Sequence, residues 1–252
     1  SDEIIGWFAD EGVRLCRQDQ RLGKSAGLSR FCPDATGEIL VFTDANSMFL
    51  PDAVRKLVQH FDDPNVGYTV GKQLYGETDS AASADAASAV SASADSENAY
   101  WNMELKIKEW ESRLSSVVGA DGAIYALRKE LFEPLQPEDI NDFYLPLKVV
   151  AAGYRGVIEP LAVCYENAAP DFQGEFYRKY RIVNRSLNAV RKGPQALNPF
   201  RTGWFAFQLF FQKVLRWLTP CFLLLMRITS AVLAWREIYT GSAGLYTVLM
   251  SL

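Results

Sequence analysis

Residues 38–49 read EILVFTDANSMF, a run of strand formers that stops on an acid, a small residue and an amide. Ile39, Leu40, Val41 and Phe42 show no polar alternation, the pattern of a strand buried on both faces, as the central strands of parallel sheets are. A carboxylate inside such a strand is costly to desolvate. At its carboxyl end, however, Asp44 would sit on the rim of the sheet, where open α/β folds take their ligands. Two readings follow for Asp44: a carboxylate facing a ligand or metal, or a cap on the turn into the next segment.

Outward from this stretch, residues 12–164 alternate strand-like and helix-like segments, which predicts an α/β sheet. VRLCRQ (13–18) reads as a strand and GKSAGLSRF (23–31) as a helix. LPDAVRKLVQHF (50–61) reads as a helix with Pro51 and Asp52 in its first turn, and VGYTVGKQLYG (66–76) as a strand. From Glu77 to Glu97 the chain is mainly Ala, Ser and Asp, a composition that predicts a solvated loop or frayed helix. In YWNMELKIKEWESRLSSVV (100–118), Met103, Ile107, Trp110, Leu114 and Val117 recur at steps of four and three. That stripe predicts core packing along one helical face, for Trp101 and Trp110 in preference to stacking on sugars. VGADGAIYALRKELF (118–132) places two glycines before a short strand, and PEDINDFYLPLKVVAAGYRGVIEPLAVCYE (137–166) reads as acid, helix, turn and strands.

The 252 residues are about half apolar, enough for one core with apolar length left over. A formal net charge of -4 argues against a nucleic-acid partner. The 4 cysteines, Cys16, Cys32, Cys164 and Cys221, lack CxxC spacing, so neither a zinc site nor a disulfide framework is expected, and a reducing compartment is. The single histidine, His60, falls within a helical pattern as a surface residue, which argues against histidine chemistry.

The surplus is concentrated at the carboxyl end. Residues 177–216 are rich in Lys and Arg and contain no Asp or Glu. They lead into WLTPCFLLLMRITSAVLAW (217–235), aromatic at both ends and basic on its amino side, which predicts a membrane span with a cytoplasmic basic flank. Arg227 within the run opposes that reading, and a monotopic or buried helix is the alternative. Before it, WFAFQLFFQKVLRWL (204–218) groups Gln208, Gln212, Lys213 and Arg216 at helical spacing, as a helix in the headgroup layer would.

The ordered set GKSAGL, LVFTDANSMF, SSVVGADGAIYALR, INDFYLPLKVVAAGYR, EFYRKYRI and QKVLRW resembles the membrane-bound family 2 glycosyltransferases. The branch it is most similar to contains the cellulose, hyaluronan and poly-N-acetylglucosamine synthases. The resemblance implies an α/β nucleotide-diphospho-sugar transferase domain of the GT-A-like kind, followed by interfacial and transmembrane helices. It divides the chain into a partial catalytic domain (1–170), a basic helix and linker closing the donor site (171–200), and an interfacial helix with transmembrane segments (201–252). It implies transfer of a sugar, with inversion, from a nucleotide-diphospho-sugar (a UDP-sugar) to a glycan or lipid-linked acceptor at the cytoplasmic membrane face, among membrane lipids. Because family members begin with nucleoside-binding strands, a chain opening on SDEIIGWF is expected to be a fragment of doubtful isolated activity.

Carried over residue by residue, the resemblance makes Asp44 the first acid of the DxD motif, binding diphosphate and metal (Mg2+ or Mn2+). Asn46, in place of the last acid, offers a carbonyl oxygen, which hard cations accept. Lys24 would reach the diphosphate. Asp142 matches the second acid of the ED or DD pair, the general base that takes the acceptor's proton; Asn141 stands in the first position, Asp139 lies close by, and a helix cap is the alternative role for Asp142. Gly119, Gly122 and Ala123 form the acceptor-side loop. Arg178 and Arg181 lie where the synthases carry QxxRW, with Arg185 on the same helical face. Ile182 replaces the tryptophan, which weakens the case for a long-polymer acceptor and admits single-sugar transfer to a polyprenyl phosphate or other lipid. A noncatalytic scaffold is a third reading. A phosphohydrolase would need a DxDxT-like loop, which Asn46 and Met48 do not match.

Overall fold

In the computed structural model, which describes residues 2–75, 92–166 and 172–240, the EILVFTD run forms β1 (Ile39–Thr43). Four more strands complete one sheet: β2 (Met48–Phe49), β3 (Val66–Tyr75), β4 (Ile124–Arg128) and β5 (Arg155–Glu166). Their order is β1-β4-β3-β5-β2. Only β3 and β5 run parallel; β1–β4, β3–β4 and β2–β5 are antiparallel. The expectation of a doubly buried β1 in a parallel neighbourhood is therefore corrected. Among the described residues β1 pairs along one edge only, Leu40 and Phe42 are buried, and Val41 is 37% exposed. An unbroken apolar run is compatible with either arrangement, because it does not say which face is covered.

The helices of the first compact unit, Ser1–Phe207, are α1 (Asp2–Gly6), α2 (Lys24–Phe31), α3 (Ala53–Val58), α4 (Ala92–Leu114), α5 (Asn141–Ala151), α6 (Phe172–Lys192) and α7 (Pro199–Thr202). Successive side chains of β4 point to opposite faces of the sheet, as strand geometry requires. Ile124 and Ala126 join Ala53, Leu57 and Phe61 of the α3 side in one core cluster. Tyr125 faces the other way, where its hydroxyl accepts from Asn141 Nδ2 of α5 at 2.8 Å. The sheet thus lies between helices, the α/β layering expected, with the end of β1, the start of β4 and the start of α5 brought to one rim.

Three further expectations are corrected. Residues 13–18 form no strand; Val13 and Leu15 are exposed, and among the described residues no strand pairs with them. His60 is half-buried, its Nε2 2.8 Å from Glu159 Oε2, to which Gln59 also donates at 2.8 Å. The α4 stripe is outward: Met103, Trp110 and Leu114 are exposed, while Val117, just beyond the helix, is buried. Polar groups make the helix's contact instead. Glu111 is buried and accepts from Val118 N at 3.0 Å, Ser112 Oγ accepts from Ile158 N at 3.2 Å, and Ser116 Oγ from Gly156 N at 3.1 Å. Periodicity located the helix correctly, but backbone groups of β5 needing acceptors turned its polar side inward. Trp101's side chain and most of the Ala/Ser/Asp stretch fall outside the described residues.

The second unit, Gln208–Leu252, is described as far as Thr240. Helix α8 (Trp204–Leu209) is followed by a π-helical turn (Phe210–Val214) and α9 (Leu215–Thr240). The stretch Trp204–Arg236 is long and apolar enough to cross a membrane. Phe222, Leu223, Leu224, Leu225 and Met226 are all exposed, so its apolar surface goes around the helix and is not a core-facing stripe.

Candidate active site

Asp44 leaves β1 at the rim and opens a turn closed by Ser47 N donating to Asp44 O at 3.1 Å. That turn is anchored from below: Ser47 Oγ donates to Glu166, a buried carboxylate that also accepts from Gln73 Nε2 at 2.6 Å. The Asp44 side chain, 41% exposed, pairs with Lys24 Nζ, and the same ammonium lies 3.5 Å from Gly122 O. Lys24 is placed there by being the first residue of α2, directly after Gly23. Ser25 and Ser29, one turn apart, fasten α2: Ser25 Oγ donates to Asp139 O at 2.7 Å, and Ser29 Oγ is 2.9 Å from Leu135 O.

The loop between α4 and β4 closes the other side. Gly119 has φ 83°, a left-handed conformation that glycine adopts without strain. Ala120 N donates to Asp142 O at 2.6 Å, which seats the loop on the start of α5. Gly122 leaves a cradle: a Cβ there would stand 2.7 Å from Asp142 Oδ2 and 3.7 Å from Asp44 Oδ2. Both carboxylates therefore reach the same small volume. Ala123 is buried and donates its N–H to Asp121 Oδ1 at 3.2 Å.

Asp142 lies in the first turn of α5, but it does not cap the helix. The N-cap position is Ile140 and carries no side-chain capping bond. Its Oδ1 is shielded from solvent and has no hydrogen-bond partner among the described residues. Burial pushes its carboxyl up to about 6, with Asp121 and then Asp44 adding to the rise and Lys24 opposing it. Asn141 supplies no charge, and its amide holds the buried Tyr125 hydroxyl, whose ring stacks on Phe42 at 4.5 Å. Burial also raises the Tyr125 phenol. A second acid at position 141 would crowd another negative charge against Asp44, Asp121 and Asp142, so the amide suits this site.

The structure thus brings together Lys24, Asp44, Gly119, Gly122, Ala123 and Asp142. Asn46, two residues after Asp44, is exposed, and no hydrogen bond or ion pair among the described residues joins it to the cluster. Arg178 and Arg181 stand exposed along α6, and no hydrogen bond or ion pair among the described residues joins Arg181 to the cluster. Asp121 was missed; its signal was an acid between two glycines in VGADGA. Oxygen donors from Asp44 and Asn46 suit a hard divalent cation. Among the described residues no three His, Cys, Asp or Glu side chains form a cage, so a cation here would take further oxygens from the diphosphate it accompanies, as Mg2+ commonly does.

The profile of "Glycosyl transferase family 2" matches residues 1–135. No curated protein sequence matches the chain. Among solved structures the fold is similar to that of the mannosyltransferase PcManGT from Pyrobaculum calidifontis in complex with GDP-Man and Mn2+, with a TM-score of 0.65, 20% identity, and coverage of 99% of this chain and 70% of that one. A weaker similarity, TM-score 0.43 and 16% identity over 72% of this chain and 62% of the other, is to glucosyl-3-phosphoglycerate synthase from Mycobacterium tuberculosis in complex with Mn2+ and UDP-glucose.

Proposed function

We propose the reaction from one premise: this chain belongs to glycosyl transferase family 2 and is a glycosyltransferase. It transfers a sugar, with inversion, from a nucleotide-diphospho-sugar, a UDP-sugar in this reading, to a hydroxyl of a glycan acceptor at the cytoplasmic face of a membrane. The observation that carries this reading is the convergence of Lys24, Asp44 and Asp142 on the cradle at Gly122. The acceptor oxygen attacks the anomeric carbon as its proton passes to Asp142, and the bond to the diphosphate oxygen breaks with its electron pair going to the diphosphate. A carboxyl raised to about 6 is ionised at neutral pH yet close enough in affinity to take a proton from a hydroxyl that is losing it.

Lys24 exchanges its pairing with Asp44 for the departing diphosphate, where a positive charge placed in advance stabilises the charge that develops. Arg178 and Arg181, exposed along α6, would add positive charge to the same diphosphate if α6 closes over the donor. A bound Mg2+ or Mn2+, held by Asp44 and the Asn46 carbonyl, would neutralise part of the diphosphate charge. The GDP-Man and Mn2+ in PcManGT support a donor and cation of these classes. Within this reading residues 1–170 carry the catalysis, 171–200 close the donor site, and 201–252 hold the enzyme in an inner membrane, through the apolar stretch Trp204–Arg236. The six motifs and their order favour the branch of the polysaccharide synthases.

A second reading is transfer of a single sugar to a polyprenyl phosphate or other lipid. Ile182, 37% exposed on α6 where the synthases present a tryptophan, favours it. Binding and turnover measured separately test the site: Asp142→Asn keeps donor affinity within threefold and loses transfer, whereas Asp44→Ala loses donor binding. Transfer at the normal rate by Asp142→Asn contradicts the assignment.

A further inference from the structure

Behind the rim lies an ion pair that the reaction as described does not use. Asp139 is 2% exposed, and each of its polar groups is engaged. Its Oδ2 accepts from Gln136 N at 2.9 Å, its Oδ1 lies 2.7 Å from Lys192 Nζ, and its backbone oxygen accepts from Ser25 Oγ at 2.7 Å. Lys192 is the last residue of α6; there a cation also meets the negative end of the helix dipole. The same ammonium holds the exposed Glu138 at 3.0 Å, and Asp139 first, then Glu138, keep it above the ordinary lysine range.

What Asp139 touches makes the pair more than a surface bridge. Ser25 follows Lys24 in α2, and Asp142 lies three residues beyond Asp139 at the start of α5. One buried residue therefore ties these parts together: its carboxylate holds the end of α6, its backbone oxygen holds the helix that begins with Lys24, and its own segment runs into the start of α5 at Asp142. A buried carboxylate that loses its cation moves toward water or takes up a proton. Either response shifts residues 136–142, and a misplacement of about 1 Å at reacting groups costs on the order of a hundredfold in rate.

We propose that the Asp139–Lys192 pair is a positioning latch: it couples α6 to Lys24 and Asp142 and holds the two in register for transfer. The latch rests on the reaction proposed above for its consequence in catalysis, but its structural part stands apart from it. Lys192 and Asp139 touch no substrate in this account and act through Ser25 and the α5 start.

The test compares the full membrane-embedded chain with Lys192→Met and with the double variant Asp139→Asn/Lys192→Met. Turnover, thermal stability and amide hydrogen exchange are measured on each. A pair that serves stability alone is relieved in the double variant, where no buried charge is left without its partner, so both stability and turnover return. The latch instead predicts that the double variant regains stability while turnover in both stays at least tenfold down. Amide exchange over residues 24–31 and 136–145 rises in both. Normal turnover in the double variant, or unchanged exchange in those two segments, overturns the latch. If the unaltered chain transfers no sugar from any donor, the proposed reaction fails, and the exchange data still decide whether the pair fastens these segments.

Discussion

Replacing Asp142 by Asn is expected to make the protein more stable while making it inactive, and the size of the gain follows from the site. The carboxyl rises from 3.8 to about 6 on folding, and at about 1.4 kcal/mol per unit the ionised form costs the fold about 3 kcal/mol. Because the residue as a whole is half-buried, solvent screening reduces this to roughly 2 kcal/mol. The sign follows from proton linkage. A carboxyl raised on folding binds its proton more tightly in the folded chain, so the penalty is absent below 3.8, grows as pH rises, and is complete above about 6. Asparagine resembles the neutral acid and carries no such penalty. Thermal unfolding of the detergent-solubilised chain from pH 4 to pH 8 should therefore show the two proteins converging at low pH. At pH 8 the variant should be higher by ~4–8 °C, from about 2–4 °C per kcal/mol for a unit of this size. A variant no more stable than its parent at pH 8, or a difference independent of pH, refutes the reasoning.

Asp121→Asn removes the larger of the two neighbouring charges that raise Asp142, so the acid limb of the rate profile should move to lower pH; an unmoved limb excludes electrostatic coupling. Lys24→Met should raise the donor KM at least tenfold, since a charge-assisted contact contributes about 1.5–3 kcal/mol, and Lys24→Arg should recover part of it. Gly122→Ala places a methyl 2.7 Å from Asp142 Oδ2, and transfer should fall at least tenfold with an unchanged circular dichroism spectrum; normal activity would mean that the cradle is not where the reacting groups meet.

The parts of the fold that periodicity and capping control were legible. The Gly23–Lys24 helix start, β1 stopping just before Asp44 and the acid at the start of α5 each stand where their local chemistry predicted. What depends on neighbours was not legible. An apolar run cannot reveal that β1 pairs along one edge only among the described residues, and the stripe Met103, Trp110 and Leu114 has the period of a core face although Glu111, Ser112 and Ser116 make the contact. Lys24, Asp44 and Asp142 could be singled out because the motif spacing is kept in the chain, and the fold brings the three together at Gly122. The nearness of Asp121 to Asp142 and the pairing of Asp139 with Lys192 could not, since they arise from distances between segments that only folding sets. Arg178 and Arg181 were grouped correctly on one helix, but helical spacing does not fix where that helix points.

The most direct test of the central claim is release of nucleoside diphosphate from a panel of UDP- and GDP-sugars by membranes carrying this chain. It is run with and without a chelator, and with Asp44→Ala and Asp142→Asn alongside. The account predicts release from one donor that needs Mg2+ or Mn2+ and disappears in both variants. Undiminished release in both variants would contradict it.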